Sequence, residues 1–522
     1  MPNLVAHVVF YSWPLVVYLL FQRLPMVSAI AWSTIIGFLF LPAVLQLDLP
    51  AIPSISKYEL TSISVAFMCW LKVRTDAHAN RWKTPATEAN GAAPARKSRA
   101  RLLGGGLLIA IIATPILTVM TNGDPLFYGP TMLPALRAYD LFSILGSIIF
   151  MILPFWVGRK YLNTTDSHVL IMQIFCLALM GYSLLALWEV RMSPQLNRMV
   201  YGFTASSFLQ HIRAGGFRPM VFMNHGLSLG ILLAMCVLSA AALWRHARQT
   251  GANAAPWLFC TGWLLFTLVM AKSVGALLIS LALLPVILFM NVRSQLLVGA
   301  VLAGIVILYP MLRGAGYIPT EEIHAAAVDY SAERAQSLKF RLDHEDDLLE
   351  KANERPIFGW GTWGRNRVFD PYTGEDLSVT DGSWIIFIGM YGWVGYIAVF
   401  GTLTVATFLF ALKRRRIEIS FATAGLVIVL VANLVDLIPN SSLRPVTWLI
   451  AGSLMGRFIA AREGQGQQVA VASETPVETP PPPKPKVRKP RSADGFSGPS
   501  PLGDLQPAAT VETNGLKVRR RR

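Results

Sequence analysis

Four arginines, Arg191, Arg198, Arg213 and Arg218, fall in one polar interval, Glu189 to Pro219, with a single acid, Glu189. A guanidinium is planar, stays charged at any working pH and matches two phosphate oxygens at once. Arginines grouped with so few carboxylates therefore suit a phosphate or pyrophosphate. In RAGGFRP, 213–219, a glycine pair separates two of them, and glycines let a backbone approach a bulky head group. Snorkelling at a helix end is the plainer reading, and it accounts for one such arginine more readily than for four. Lys272, in MAKSVGAL between two apolar runs, is an ionisable group at a membrane boundary and hence a functional candidate. A polar residue in a tight turn between helices is its alternative.

A second polar interval, Arg313 to Asp381, holds fourteen acidic and eight basic residues, and Asp381 is its last charge before an apolar run starts at Ser383. A carboxylate at the mouth of a membrane site loses hydration, which raises its basicity and lets it take a proton from a hydroxyl. The alternative is a helix-capping acid, which DGSW fits well. Arg341, Arg365 and Arg367 add further guanidinium groups to this interval. Within 337–356, Leu338, Leu342, Leu348, Leu349 and Ala352 have the spacing of an amphipathic helix lying along a membrane. In IFGWGTWG, Trp360 and Trp363 suit interface anchoring or stacking on a sugar ring. His211, Asn224 and His225 flank the arginine cluster without a second ligand at helical spacing, so no metal site is expected. His225 reads as hydrogen-bonded within a bundle.

The elements that must position these residues are apolar runs. Only 15% of the chain is charged, well below the usual quarter, and runs long enough to cross a hydrocarbon core of about 30 Å recur from Leu4 to Ala461. Backbone groups must pair within lipid, so the runs are helices. Thirteen candidates cover 4–21, 26–45, 56–71, 102–120, 139–157, 169–188, 220–244, 256–271, 273–290, 296–311, 383–412, 419–437 and 445–461. The first run has no basic residue before it and no small-residue cleavage site after it, so it reads as a span.

Basic residues concentrate in Lys72 to Arg101, at Arg159 and Lys160, in RHAR at 245–248 and in KRRR at 413–416. The positive-inside rule makes these cytoplasmic and sets both polar intervals on the outer face. The net charge of +16 thus reflects orientation, and no nucleic-acid partner is expected. Cys69, Cys176, Cys236 and Cys260 lie in apolar segments and read as packing thiols. Residues 84–95 read as a flexible cytoplasmic loop. Residues 462–522, with PPPPKPKVRKPR at 480–491 and a final RRRR, read as a disordered Pro-rich basic cytoplasmic tail after a transmembrane domain of 1–461.

GFLFLP at 37–42, RAGGFRPMVFMNHG at 213–226, KSVGALL at 272–278, ERPIFGWGTWG at 354–364 and DGSWIIFIGMYGWVG at 381–395 occur in an order and spacing that resembles the bacterial O-antigen ligase and O-antigen polymerase superfamily, over roughly residues 30–460. Ligases of that superfamily carry His, then Asn, Ser or Gln, nine residues, Gly, two residues, and Gly, Thr or Tyr. Here the frame reads Asp381, Gly382, nine residues, Gly392, two residues and Gly395. Asp in place of His keeps a candidate base and brings the chain closer to polymerase-like members.

The resemblance implies an all-α polytopic membrane protein of about 12–13 transmembrane helices with one large periplasmic loop, 313–382, and a GT-C-like glycosyltransferase architecture in the bacterial inner membrane. It implies an inverting transfer, independent of metal and cofactor, on the periplasmic face, from an undecaprenyl-pyrophosphate-linked glycan. Arg213 and Arg218 would clamp the pyrophosphate with support from Lys272, Asp381 would be the base with Arg213 at the reacting centre, and Arg341, Arg365 and Arg367 would contact glycan or phosphate. Polymerisation of exopolysaccharide or O-antigen repeat units is the leading function. Ligation of a finished glycan to a lipid or protein is the alternative, and a transporter or flippase is a third reading from another class. Membrane lipid and polysaccharide-assembly proteins complete the expected partners.

Overall fold

A computed structural model describes residues 1–49, 52–81, 99–213, 215–330 and 332–474. The tail reading beyond Glu474 and the 84–95 loop lie outside the described residues. Helices α1 (Leu4–Arg23), α2 (Met26–Phe40), α3 (Lys57–Arg81) and α4 (Arg99–Met120) are followed by a hairpin of β1 (Leu126–Tyr128) and β2 (Thr131–Leu133). Next come α5 (Ala138–Tyr161), α6 (Thr165–Met192), the short α7 (Leu196–Tyr201), a 3-10 turn at Phe208–His211, and the two-residue strands β3 (Ile212–Arg213) and β4 (Gly216–Phe217). The chain continues through α8 (Gly226–Thr250), α9 (Ala255–Met270), α10 (Val274–Phe289), α11 (Val292–Gly314), α12 (Thr320–Tyr330), α13 (Ala332–Glu354), α14 (Ser383–Lys413), α15 (Phe421–Asp436) and α16 (Pro445–Glu474).

Each of the thirteen apolar runs falls on a helix. Among the described residues seven helices are long and apolar enough to cross a membrane: α1, α4, α5, α6, α8, α11 and α14. Four more, α2, α9, α10 and α15, are apolar but have only 15 or 16 residues, about 24 Å at most. The fold is an all-α polytopic membrane protein. Helix α8 is apolar on every face and buried almost throughout, as befits a helix enclosed by others. It packs against α6, α9, α10 and α15 at the centre of the bundle.

Several boundaries differ from the sequence expectation. The run at 56–71 continues as helix to Arg81 and the run at 445–461 to Glu474, so residues 462–474, expected to begin the disordered tail, are helical. The run at 26–45 ends as helix at Phe40, two residues before Pro42, whose ring excludes continuation. The run at 220–244 becomes helical only at Gly226, because the backbone of 220–222 is bonded to side chains of other elements. The amphipathic helix expected over 337–356 is the later part of α13, whose Leu348, Leu349 and Ala352 are buried.

Candidate functional site

The GFLFLP motif is the end of α2, where the last carbonyls have no helical partner. Here three side chains take them up. Lys57 Nζ donates to the carbonyls of Phe38 and Leu41, each at 3.1 Å, Tyr182 Oη to Leu39 at 3.1 Å and Tyr201 Oη to Phe40 at 2.5 Å. The same groups hold the segment after the second loop arginine. Lys57 Nζ also donates to Phe222 O at 3.1 Å, and Tyr182 Oη accepts from Phe222 N at 3.1 Å. Glu189, the lone acid of the arginine interval, is buried and accepts from Leu196 N, Met220 N and Val221 N at 3.0, 2.8 and 2.7 Å. A carboxylate that closes three backbone donors fixes the loop more firmly than neutral bonds would.

On this base stands the β3–β4 hairpin, with Ile212 opposite Phe217 and Arg213 opposite Gly216. Lys272 joins it from the α9–α10 turn, where its backbone has a left-handed φ of 53°. Its Nζ donates to Arg213 O at 2.9 Å, and Arg218 Nη2 donates to Lys272 O at 3.3 Å. The three cations singled out from sequence therefore form one cluster. Gly216 faces Lys272 Nζ and Gly226 faces the Arg218 stem, so a Cβ at either position would collide with that side chain. In this structure the glycines make room for the cations themselves.

The His211 and His225 rings lie 5.0 Å apart beside the cluster. His211 Nε2 bonds Ser206 Oγ at 2.6 Å, and His225 Nδ1 accepts from Leu227 N, capping α8. Burial, reinforced by Arg218 and Arg213, lowers the His211 pKa to about 4. Burial also lowers that of His225 to about 4, aided by the charges of His211, Arg218, Arg341 and Arg213. Both rings are thus neutral at neutral pH, and Arg341, far along the chain, is near enough to His225 to act on it.

Arg341 sits on α13, and its Nε pairs with Asp381 Oδ2 at 3.0 Å, each side chain 34% exposed. The N-cap of α14 is Gly382, without a side-chain cap bond. The capping alternative for Asp381 is therefore not what the geometry gives. One turn beyond Arg341, Glu345 is buried beside Arg313, Trp384, Asp346 and Asp381. Burial raises its pKa to about 7, with Asp346 and Asp381 adding to the rise while Arg313 and Trp384 oppose it. Arg313 in turn ties α13 down through Leu342 O at 3.2 Å and Asp346 at 2.8 Å.

Helix α14 is broken at Gly392, where φ is 65° and ψ is −170°, a conformation open to glycine. The Gly and Trp rich turn fills the break. Trp360 N donates to Gly389 O at 2.8 Å, Gly361 N to Met390 O at 2.9 Å, and Trp393 N to Pro356 O at 2.8 Å. Irregular backbone within a membrane helix is tolerated when other parts of the protein satisfy it. The last two glycines of the frame are structural: Gly392 permits the break, and Gly395 packs against Tyr391 and Thr114.

Arg355 and Arg365 are held by the connection between α4 and α5. Arg355 makes a two-pronged contact with Asp124 at 3.2 and 2.7 Å. Arg365 is fully buried and donates to Trp360 O, Asp124 O and Pro134 O at 3.1, 2.9 and 2.9 Å. The role of glycan or phosphate contact expected for Arg365 is corrected on this ground, since its guanidinium faces carbonyls of the protein. Arg367 pairs with Asp376 and is partly exposed. Trp360 is buried between Lys351 and Arg355, 3.8 and 4.2 Å from its ring centre, whereas Trp363 is exposed. The exposed ring, not the buried one, is open to membrane or sugar.

The two halves meet through the α15–α16 turn. Ser383 N donates to Leu437 O at 2.9 Å and Ser383 Oγ to Asn440 O at 3.0 Å. At the other end of that turn Arg444 lies 4.8 Å from the Tyr58 ring centre, and Tyr58 Oη donates to Asn224 Oδ1 at 3.2 Å, next to His225. Arg213, Arg218, Lys272, Arg341 and Asp381 consequently gather at one end of the bundle.

Sequence reasoning missed Glu345 and the Arg444–Tyr58 pair. A signal for Glu345 existed: Arg341, Glu345, Leu348, Leu349 and Ala352 form one helical stripe, which buries the acid along with the apolar residues. Arg444 had no such signal, being one charge in a short turn.

No curated protein matches the chain. Residues 259–400 match the family described as O-antigen ligase, a stretch that includes Lys272, Arg341, Arg365, Arg367, Asp381 and the α14 break and leaves Arg213 and Arg218 outside. That match supports the superfamily resemblance read from the motifs: this multi-pass membrane protein carries, at 259–400, a segment similar to the O-antigen ligase family.

Proposed function

We propose that the protein is a periplasmic-face glycosyltransferase of the bacterial inner membrane that polymerises undecaprenyl-pyrophosphate-linked repeat units of an exopolysaccharide or O-antigen. The observation that carries this reading is the gathering of the Arg213, Arg218 and Lys272 cluster with the Arg341–Asp381 pair at one end of the bundle. Arg213 and Arg218 bind the donor pyrophosphate, and Lys272 holds the hairpin that carries them. The Asp381 carboxylate accepts the proton of an acceptor sugar hydroxyl, whose oxygen attacks the anomeric carbon of the donor. The bond from that carbon to the pyrophosphate oxygen breaks, and its electron pair leaves on the pyrophosphate, stabilised by the guanidinium groups. Inversion follows from a single displacement, and no metal enters the scheme.

The Arg341 pair engages one carboxylate oxygen, Oδ2. An ionised carboxylate accepts about four hydrogen bonds, so Asp381 retains capacity for the acceptor while Arg341 sets its orientation.

Ligation of a finished glycan is the second reading, favoured by the description of the matched family. Aspartate at the position where ligases carry histidine favours polymerisation. The lipid-linked glycans of a deletion strain separate the two. Single repeat units on the lipid support polymerisation, whereas long lipid-linked chains overturn it in favour of ligation. Complementation with Arg213→Ala, Arg218→Ala or Asp381→Ala should restore protein but little polymer. Normal polymer length and amount in all three would overturn the site.

A further inference from the structure

At the Arg341–Asp381 end, Arg444 closes the α15–α16 turn. It is half-buried, and its guanidinium lies 4.8 Å from the Tyr58 ring centre. Its Nε is buried without a hydrogen-bond partner, and among the described residues the guanidinium makes no hydrogen bond or ion pair. Two acids stand in this region, and both are engaged elsewhere. Asp436 accepts from Asn440 Nδ2 at 2.9 Å and from Ser442 Oγ at 2.8 Å, and Glu59 accepts from Ser56 N at 2.9 Å.

A second cation stands at the same ring. Lys57 Nζ is 5.5 Å from the Tyr58 ring centre and fully buried, and its three bonds go to the carbonyls of Phe38, Leu41 and Phe222. Carbonyl oxygens carry only partial charge, so two like charges remain side by side where water screens them little, and they repel. A buried guanidinium donor left unmet adds its own cost. An anion on Arg444 offsets both.

The side from which an anion can come is limited. Towards the interior Arg444 lines a cavity with Ser228, Asn433, Ser442 and Thr447 whose volume is about 20 Å³, room for a water and little else. Anything larger must approach from the surface. There the guanidinium adjoins the arginine hairpin, since Tyr58 Oη donates to Asn224 Oδ1 at 3.2 Å in the segment between Arg218 and α8.

We propose that Arg444 is the binding residue of a second phosphate subsite, next to the Arg213, Arg218 and Lys272 cluster, with Tyr58 holding the guanidinium by its face. The planar fork suits two oxygens of one phosphate. Two lipids carry that chemistry to this end of the bundle: a lipid-linked pyrophosphate, which rests on the function proposed above, and an anionic phospholipid, which does not.

The test measures binding of undecaprenyl pyrophosphate and of phosphatidylglycerol to the purified full-length protein in detergent, by native mass spectrometry, with thermal melting alongside. Arg444→Gln should weaken binding of at least one of the two about tenfold, the scale of a lost charge-assisted contact. Arg444→Lys, which keeps the charge without the fork, should weaken it about threefold. Loss confined to undecaprenyl pyrophosphate assigns the subsite to lipid-linked substrate, and loss confined to phosphatidylglycerol assigns it to a head group. Without lipid, Arg444→Gln should melt no lower than wild type, because repulsion with Lys57 is relieved; a lower melting temperature with unchanged binding would make Arg444 a structural residue and overturn the proposal. Unchanged affinity for both lipids would overturn it as well, in Arg444→Gln or, if that variant does not fold, in Arg444→Lys. Arg213→Ala separates this outcome from the wider reading. Undecaprenyl pyrophosphate binding lost in Arg213→Ala and kept in Arg444→Gln and Arg444→Lys, with phosphatidylglycerol binding also kept, sinks the second subsite alone, whereas binding kept in Arg213→Ala counts against the donor site.

Discussion

Arg341 and Asp381, forty residues apart, meet at 3.0 Å where α13 crosses the start of α14. The contact joins the large polar loop to the span that follows it and turns the loop's last acid toward a guanidinium instead of the helix N-terminus.

Replacing Asp381 by Asn keeps the shape and removes the basic oxygen. Transfer from a lipid-linked repeat unit by purified protein should fall at least ~100-fold, the usual scale of a lost general base, with melting almost unchanged. Arg341→Met should cost less, about tenfold, because it misplaces the carboxylate without removing it. In a double-mutant cycle the two losses should be less than additive; full additivity would deny the coupling.

Glu189→Ala should act at a distance. It leaves two buried N–H groups and one part-buried one without their acceptor, at about 1–3 kcal/mol for each buried group, and loosens the base under Arg213 and Arg218. A melting temperature lowered by several degrees and weaker binding of the lipid-linked donor are expected. Normal donor affinity in a destabilised variant would separate the loop's stability from its function.

Stability should also respond to pH through Glu345. Its pKa is raised by burial from 4.5 to about 7, so the folded protein binds more protons than the unfolded chain within that window. The stabilisation is full below about pH 4.5 and is lost as pH rises through 7. Melting temperatures of wild type should fall between about pH 5 and pH 7 relative to Glu345→Gln, which cannot ionise. Parallel pH profiles for the two proteins would show that Glu345 does not carry the effect.

Gly392→Ala should be severe. The residue has a positive φ, and its Cβ would strike Ile357 O, combining strain of about 1–3 kcal/mol with displacement of the turn that fills the helix break. Folded yield and protease resistance of the 356–361 turn should both drop. Gly364→Ala, also at positive φ but with its nearest neighbours 3.9 Å away, should be milder.

The thirteen helices were legible because each apolar run answers to one solvent. The arginine cluster was legible as well, since four guanidinium groups beside one acid stand out wherever the chain goes. What the sequence did not reveal was partnership across long separations. Arg341 looked like one cation on a charged helix, and Asp381 looked like a cap because DGSW satisfies local rules. Arg365 and Arg367 looked alike, yet one is buried against carbonyls of the α4–α5 connection and the other pairs locally. Glu345 was concealed among Asp343, Asp346 and Asp347, and only the side of α13 that faces α14 singles it out.

The filled break in α14 also governs how the chain can change length. From Pro356 to Val394, two stretches serve as each other's template, hydrogen bond by hydrogen bond, so an inserted or deleted residue in either one shifts the register of both. The stretch before Pro356 has no such counterpart. Relatives can therefore lengthen or shorten the loop ahead of α13, while α13, which reaches Asp381 through Arg341, and residues 356–394 must be inherited, or grafted into a chimaera, as one piece.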